Sequence, residues 1–75
     1  MPDNKNRERF IELAEKRVTR AIRDLRLIGN LSNKSNYSYS EEDVRKIMRV
    51  LRSELRAVEQ RFHKNGERDE VLFKL

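Results

Sequence analysis

The sequence predicts an all-α fold of two helices that form an antiparallel hairpin. Apolar residues recur in alternating steps of three and four in two segments, which keeps them on one side of an α-helix. A polar stretch rich in Asn and Ser separates the segments. The first apolar stripe comprises Ile11, Ala14, Val18, Ala21, Leu25 and Ile28, and the second comprises Val44, Met48, Leu51, Leu55, Val58 and Phe62. We expect the two stripes to face each other.

The first helix is predicted to span roughly residues 5–28. Asp3 or Asn4 can cap its start, because a short polar side chain there accepts from the free amides of the first turn. Gly29 follows the last apolar residue, and glycine readily adopts the left-handed conformation that ends many helices. We therefore expect Gly29 to terminate this helix.

Residues 29–40 are predicted to form a loop, because Asn and Ser side chains compete with helical hydrogen bonds. This loop exceeds the roughly two to eight residues of most helix-to-helix connections. One interpretation is an ordered loop in which Leu31 and Tyr39 close the end of the hairpin. The other is a binding loop, with contacts from Asn33, Lys34, Tyr37 and Tyr39.

The second helix is predicted to span residues 41–64. Ser40 and Asp43 have the spacing of a capping box, and the acids of the first turn oppose the positive end of the helix dipole. Tyr39 and Val44 occupy the two positions of a hydrophobic staple. Asn65 and Gly66 are expected to end the helix.

The segment 67–75 is predicted to be a separate tail that begins charged and ends in the apolar run Val71–Leu75. An apolar terminus is unusual, since most chain ends are polar and frayed. Three interpretations are open: the run folds back on the hairpin core or on a partner subunit, it docks as a linear peptide on another protein, or it is disordered.

Composition limits the class of protein. The chain has 75 residues, no cysteine and a formal net charge of +5. A small secreted domain usually has disulfides, and the charged first twenty residues contain no apolar signal core, so we expect a cytoplasmic protein. No segment is apolar enough to span a bilayer, and the alternating acids argue against a membrane surface. We expect one domain.

The helices have more apolar surface than one seam consumes, because Leu13, Leu27, Ile47 and Val50 lie outside both stripes. A homodimer of two hairpins, forming a four-helix bundle, would cover this surface. A monomer covered by its own tail and a complex with another protein are the alternatives. The predicted self-association core is Ile11, Val18, Leu25, Met48, Leu51, Leu55, Val58 and Phe62.

Twelve of the eighteen cationic residues are arginine, which pairs well with phosphate and carboxylate. Helical spacing arranges many of them in two lines. The first basic row is Arg9, Lys16, Arg20 and Arg23, opposite the first apolar stripe, and the second basic row is Arg45, Arg49, Arg52 and Arg56. Glu12, Asp24, Glu41 and Glu59 are placed to pair with Lys16, Arg20, Arg45 and Arg56, whereas Arg49 and Arg52 have no obvious partner on their helix.

These rows favour a non-enzymatic binding module that contacts nucleic acid or a ribonucleoprotein. The alternative is an accessory or inhibitor protein that docks on a protein partner. We expect no enzyme, no cofactor, no metal and no small-molecule substrate. His63 is the only histidine, and its place near a helix end suits a charge opposing the dipole better than a general base.

The run 26–33, Arg-Leu-Ile-Gly-Asn-Leu-Ser-Asn, and the run 36–44, Asn-Tyr-Ser-Tyr-Ser-Glu-Glu-Asp-Val, flank the loop. Together they resemble a group of small uncharacterised bacterial and phage-associated helical proteins that have a GNLSN…YxYSEED loop. The likeness covers roughly residues 10–62. It implies that the loop is a recurring feature and favours an accessory factor of a mobile element, such as a regulator or an inhibitor of a host complex.

Overall fold

A computed structural model gives the backbone of residues 2–73 and the side chains of residues 4–64. Two helices, α1 (Pro2–Asn30) and α2 (Glu41–Phe73), account for nearly all of it, and residues 2–73 contain no strand. The predicted all-α class with two helices is confirmed. The chain divides into two compact units, Met1–Ser38 and Tyr39–Leu75, each built around one helix.

Helix α1 begins three residues before the predicted start. Pro2 is helical, so Asp3 and Asn4 lie inside the helix and the N-cap prediction for them is wrong. Proline suits the first turn because its fixed φ is already helical and its missing amide proton has no partner there in any case. Farther along this helix, the Arg7 guanidinium lies 5.8 Å from the centre of the Phe10 ring, which is a cation–π contact.

The end of α1 differs from the predicted left-handed cap. Gly29 is helical, and neither it nor any other described residue has a positive φ. The chain instead leaves the helix through tight turns, with Leu31 N donating to Ile28 O and Ser32 N donating to Gly29 O, both at 3.0 Å. These bonds span three residues and satisfy carbonyl groups that a helix end leaves free, so no left-handed residue is needed.

The start of α2 confirms the predicted capping box. The Ser40 amide donates to Asp43 Oδ2 at 2.9 Å, and the Asp43 amide donates to Ser40 Oγ at 3.1 Å. Val44 N donates to Ser40 O, which places Ser40 at the N-cap. Tyr39 is half-buried just before the cap, whereas the staple contact between Tyr39 and Val44 stays a prediction.

Helix α2 ends later than predicted. Its backbone continues through Asn65 and Gly66 to Phe73. The predicted stop at Gly66 is therefore wrong, and so is the predicted separate tail over residues 67–73. Glycine in a helix interior costs only about 1 kcal/mol, and Glu67, Arg68 and Glu70 are good helix formers that offset this cost. The packing predicted for the apolar run Val71–Leu75 depends on side chains that lie outside the described residues.

Candidate functional site: two basic helix faces

The side chains of both apolar stripes are exposed or half-buried. No side chain of residues 4–64 is buried, and among the second stripe Leu55 and Phe62 are both 64% exposed. The residues closest to burial are Leu13, Ala14, Ile28, Tyr39 and Leu51, which are half-buried. An amphipathic helix gains most of its stability when its apolar face is covered. The surface that covers these stripes, and with it the predicted self-association core, stays a prediction.

The second basic row forms a narrow, regular line on α2. At about 100° per residue, its four arginines fall within an arc of about 60°. With a rise of about 1.5 Å per residue, the row is about 16 Å long. All four side chains are exposed, and the helix that holds them is continuous. The backbone therefore sets the spacing of the four positive charges.

Acidic residues lie at the ends of this row and leave its middle free. The Arg45 guanidinium is 3.8 Å from Glu41 Oε1, as the i,i+4 spacing predicts. Between Arg45 and Arg56 the only acid is Glu54, which lies about 180° around the helix from Arg45. Within residues 4–64, no ion pair forms at Arg49, Arg52 or Arg56, so the predicted Glu59 pair with Arg56 is absent.

The first basic row is partly neutralised. Lys16 Nζ lies 3.6 Å from Glu12 Oε2, which confirms that predicted pair, whereas the predicted pair of Asp24 with Arg20 does not form in the described part of the chain. Residues Glu12, Glu15, Lys16, Thr19, Arg20 and Arg23 line a shallow open groove on α1. Two carboxylates and three cations therefore line the same groove. Arg9 lies at the other end of the row, outside this groove.

The paired side chains in both rows are exposed, with each of the four side chains more than 60% accessible. Ion pairs of this kind typically contribute only about 0.3–0.5 kcal/mol and are screened by salt. A phosphate could therefore replace either carboxylate at little cost. The rows differ in the acids beside them, because Glu12 and Glu15 line the groove of the first row, whereas no acid lies on the face of α2 between Arg45 and Arg56.

The four candidate contact residues of the loop differ in their structural role and in their exposure. Asn33 organises the turn: its Oδ1 accepts from Ser35 N at 3.0 Å, and its carbonyl oxygen accepts from Asn36 N at 3.1 Å and from Tyr37 N at 3.0 Å. Sequence analysis missed this role, although Asn followed two residues later by Ser is typical of an Asx turn. Tyr37 is 48% exposed and Lys34 is exposed as well, while Tyr39 is half-buried.

The capping box also sets the ionisation of Asp43. The pKa of this carboxyl lies below its ordinary value, first because the Ser40 amide donates to it and next because the Ser40 hydroxyl does so. The positive charge of Lys46 acts in the same direction. Asp43 is therefore a structural carboxylate that fixes the start of the helix on which the second basic row lies.

Within the described residues, no three His, Asp or Glu side chains come together in the manner of metal ligands. Neither helix contains a stretch that is both long enough and apolar enough to cross a membrane, as far as those residues show. Comparison of the chain with protein-family models, with curated proteins and with solved structures finds no match.

Proposed function

We propose that this protein is a non-enzymatic, cytoplasmic binding module that contacts nucleic acid or a ribonucleoprotein through its arginines. The observation that carries the proposal is the second basic row, in which four exposed arginines share one face of a single helix. Phosphates neutralise such a line and release counterions, which gives affinity that falls steeply with salt. Arginine suits this role because its planar group pairs bidentately with phosphate oxygens.

The salt dependence of binding tests the proposal. If the four arginines each neutralise one phosphate of a duplex, the logarithm of the affinity falls with that of salt at a slope of about −3.6. Affinity should then fall about 150-fold when salt rises from about 50 to about 200 mM. The measurement is fluorescence anisotropy of labelled nucleic acid titrated with the whole chain.

A matched pair of double variants locates the contact. Arg49→Ala with Arg52→Ala removes two central cations and should reduce the slope by about 1.8, leaving a fall of only about 12-fold over the same salt range. Lys46→Ala with Arg61→Ala removes the same charge from positions off the row. Equal slopes for the two double variants, or no binding at low salt, would refute the proposal.

A second candidate function is an accessory or inhibitor protein, and the exposed apolar stripes favour it. Leu55, with 64% of its surface accessible, offers apolar area that another protein could cover. A protein partner retained in stoichiometric amount by the wild-type chain and lost with Leu55→Asp would support this function. If the partner is also lost with Arg49→Ala and Arg52→Ala, the row contacts protein carboxylates instead of phosphates.

The proposed module acts as a homodimer in which two chains cover each other's apolar stripes. Sedimentation equilibrium should then give twice the chain mass of 9.1 kDa. Leu55→Asp would place a charge in the shared core and should shift the mass to that of a single chain. A wild-type chain that is monomeric at high concentration would exclude the dimer, and the nucleic-acid proposal would stand on one chain.

A further inference from the structure

Arginine can pair with guanine in the major groove, so the second basic row reads bases only if α2 lies deep in that groove. Gln60 and His63 lie beside Arg56 at one end of the row. On the face between Arg45 and Arg56 the long side chains are all guanidinium groups, without asparagine or glutamine for base edges. The aromatic residue in the described part of α2 is Phe62, which belongs to the second apolar stripe. This stripe is centred about 110° around the helix from the row. A base stacked on Phe62 and a phosphate bound by the second basic row would therefore lie on different sides of α2.

The one-sided distribution of charge also restricts how α2 can approach a nucleic acid. A helix about 10–12 Å wide fills a major groove about 12 Å wide, so a helix deep in the groove meets phosphates on both flanks. Helix α2 has the second basic row on one flank and Ile47, Val50 and the acidic Glu54 on the opposite one. Only one flank suits phosphate, so the helix fits along one sugar–phosphate strand.

From these two features we infer that the second basic row binds the sugar–phosphate backbone of a double helix without reading its sequence. This inference rests on the proposed function and specifies its ligand. A duplex presents its phosphates at fixed, regular positions, just as the continuous helix α2 holds its four charges at fixed positions. A single strand must be ordered to match them and gains no stacking in return, because the row offers no aromatic platform.

The expected preference for a duplex over a single strand is large enough to measure. Four phosphate contacts give a slope of about −3.6 on a duplex and about −2.8 on a single strand. The counterion term alone therefore favours the duplex about sixfold at about 0.1 M salt. Two duplexes of different base composition should bind equally within about threefold, since a single well-placed base contact already discriminates by more than that.

The test titrates the whole chain against a mixed-sequence DNA duplex, an AT-rich DNA duplex, an RNA duplex and an oligo-dT strand of equal length. We expect at least one kind of duplex to bind about sixfold more tightly than oligo-dT. The DNA and RNA arms distinguish the two sources of duplex backbone. The preference for duplex should shrink with Arg49→Ala and Arg52→Ala and persist with Lys46→Ala and Arg61→Ala.

Two outcomes overturn the inference without affecting the proposed function. One is binding of oligo-dT as tightly as either duplex, which would indicate a single-strand site that includes the loop tyrosines. The other is a difference of more than about threefold between the two DNA duplexes, which would indicate base readout. If no probe binds at low salt, the proposed function itself fails.

Discussion

Replacing Gly29 with alanine tests the way in which α1 ends. In the structure Gly29 is helical and has no positive φ, and an added Cβ would meet no atom within 4 Å. Alanine is favoured over glycine in a helix by up to about 1 kcal/mol, because glycine has more backbone freedom to lose on folding. Gly29 is the second-last residue of α1, so we expect Gly29→Ala to stabilise the chain by about 0.5–1 kcal/mol.

Thermal unfolding followed by far-ultraviolet circular dichroism measures this effect. A gain of about 1 kcal/mol raises the Tm of a domain of this size by about 4–8 °C. The matched control is Ala21→Gly, which makes the reverse exchange in the middle of the same helix and should lower the stability by about 1 kcal/mol. A left-handed cap at Gly29 would make alanine strained and destabilising. A lower Tm for Gly29→Ala would therefore refute the helical end described above.

Three further predictions concern the capping box and the loop. Ser40→Ala should destabilise α2 by about 1 kcal/mol, because the Asp43 amide loses its acceptor, whereas Ser38→Ala should have no effect in the same urea titration. The pKa of Asp43 is lowered in the folded chain, so its stabilising effect is complete above its unfolded pKa of about 3.9 and is lost as the pH falls through the folded value. Helicity should therefore fall at acid pH more in the wild type than in Asp43→Asn, and equal pH profiles would contradict this. Asn33→Ala should speed amide exchange at Ser35, which loses its side-chain acceptor, while Asn33→Asp retains an acceptor and should restore protection.

The end of the loop could be predicted from the sequence, whereas its start and its interior could not. Ser40 and Asp43 were recognisable because a capping box acts over three residues and depends on little else. The role of Asn33 was missed because several Asn and Ser residues in the loop could have formed an Asx turn, and residue type alone does not choose among them. The described hydrogen bonds select Asn33, which removes its side-chain oxygen from the candidate binding residues.

The residues of the candidate site followed from the sequence, whereas only two of the four expected ion pairs did. The i,i+3 and i,i+4 spacing placed each set of cations on one face, and the pairs Glu12 with Lys16 and Glu41 with Arg45 were predicted in the same way. The pairs expected at Arg20 and Arg56 have equally good spacing but do not form in the described chain. Exposed ion pairs contribute so little that rotamer choice decides which of them form.

The sequence by itself determined the two helices, the start of α2 and the two lines of cations, because local spacing and local hydrogen bonds are enough to specify them. The structure decided where the helices end and which of the possible ion pairs form. Gly29 and Gly66 both carry a sequence signal for termination, yet both are helical, because a glycine permits the left-handed conformation without requiring it. The middle of the second basic row, in contrast, was determined by the sequence, because no acid lies three or four residues from Arg49 or Arg52, and neither forms an ion pair among the described residues.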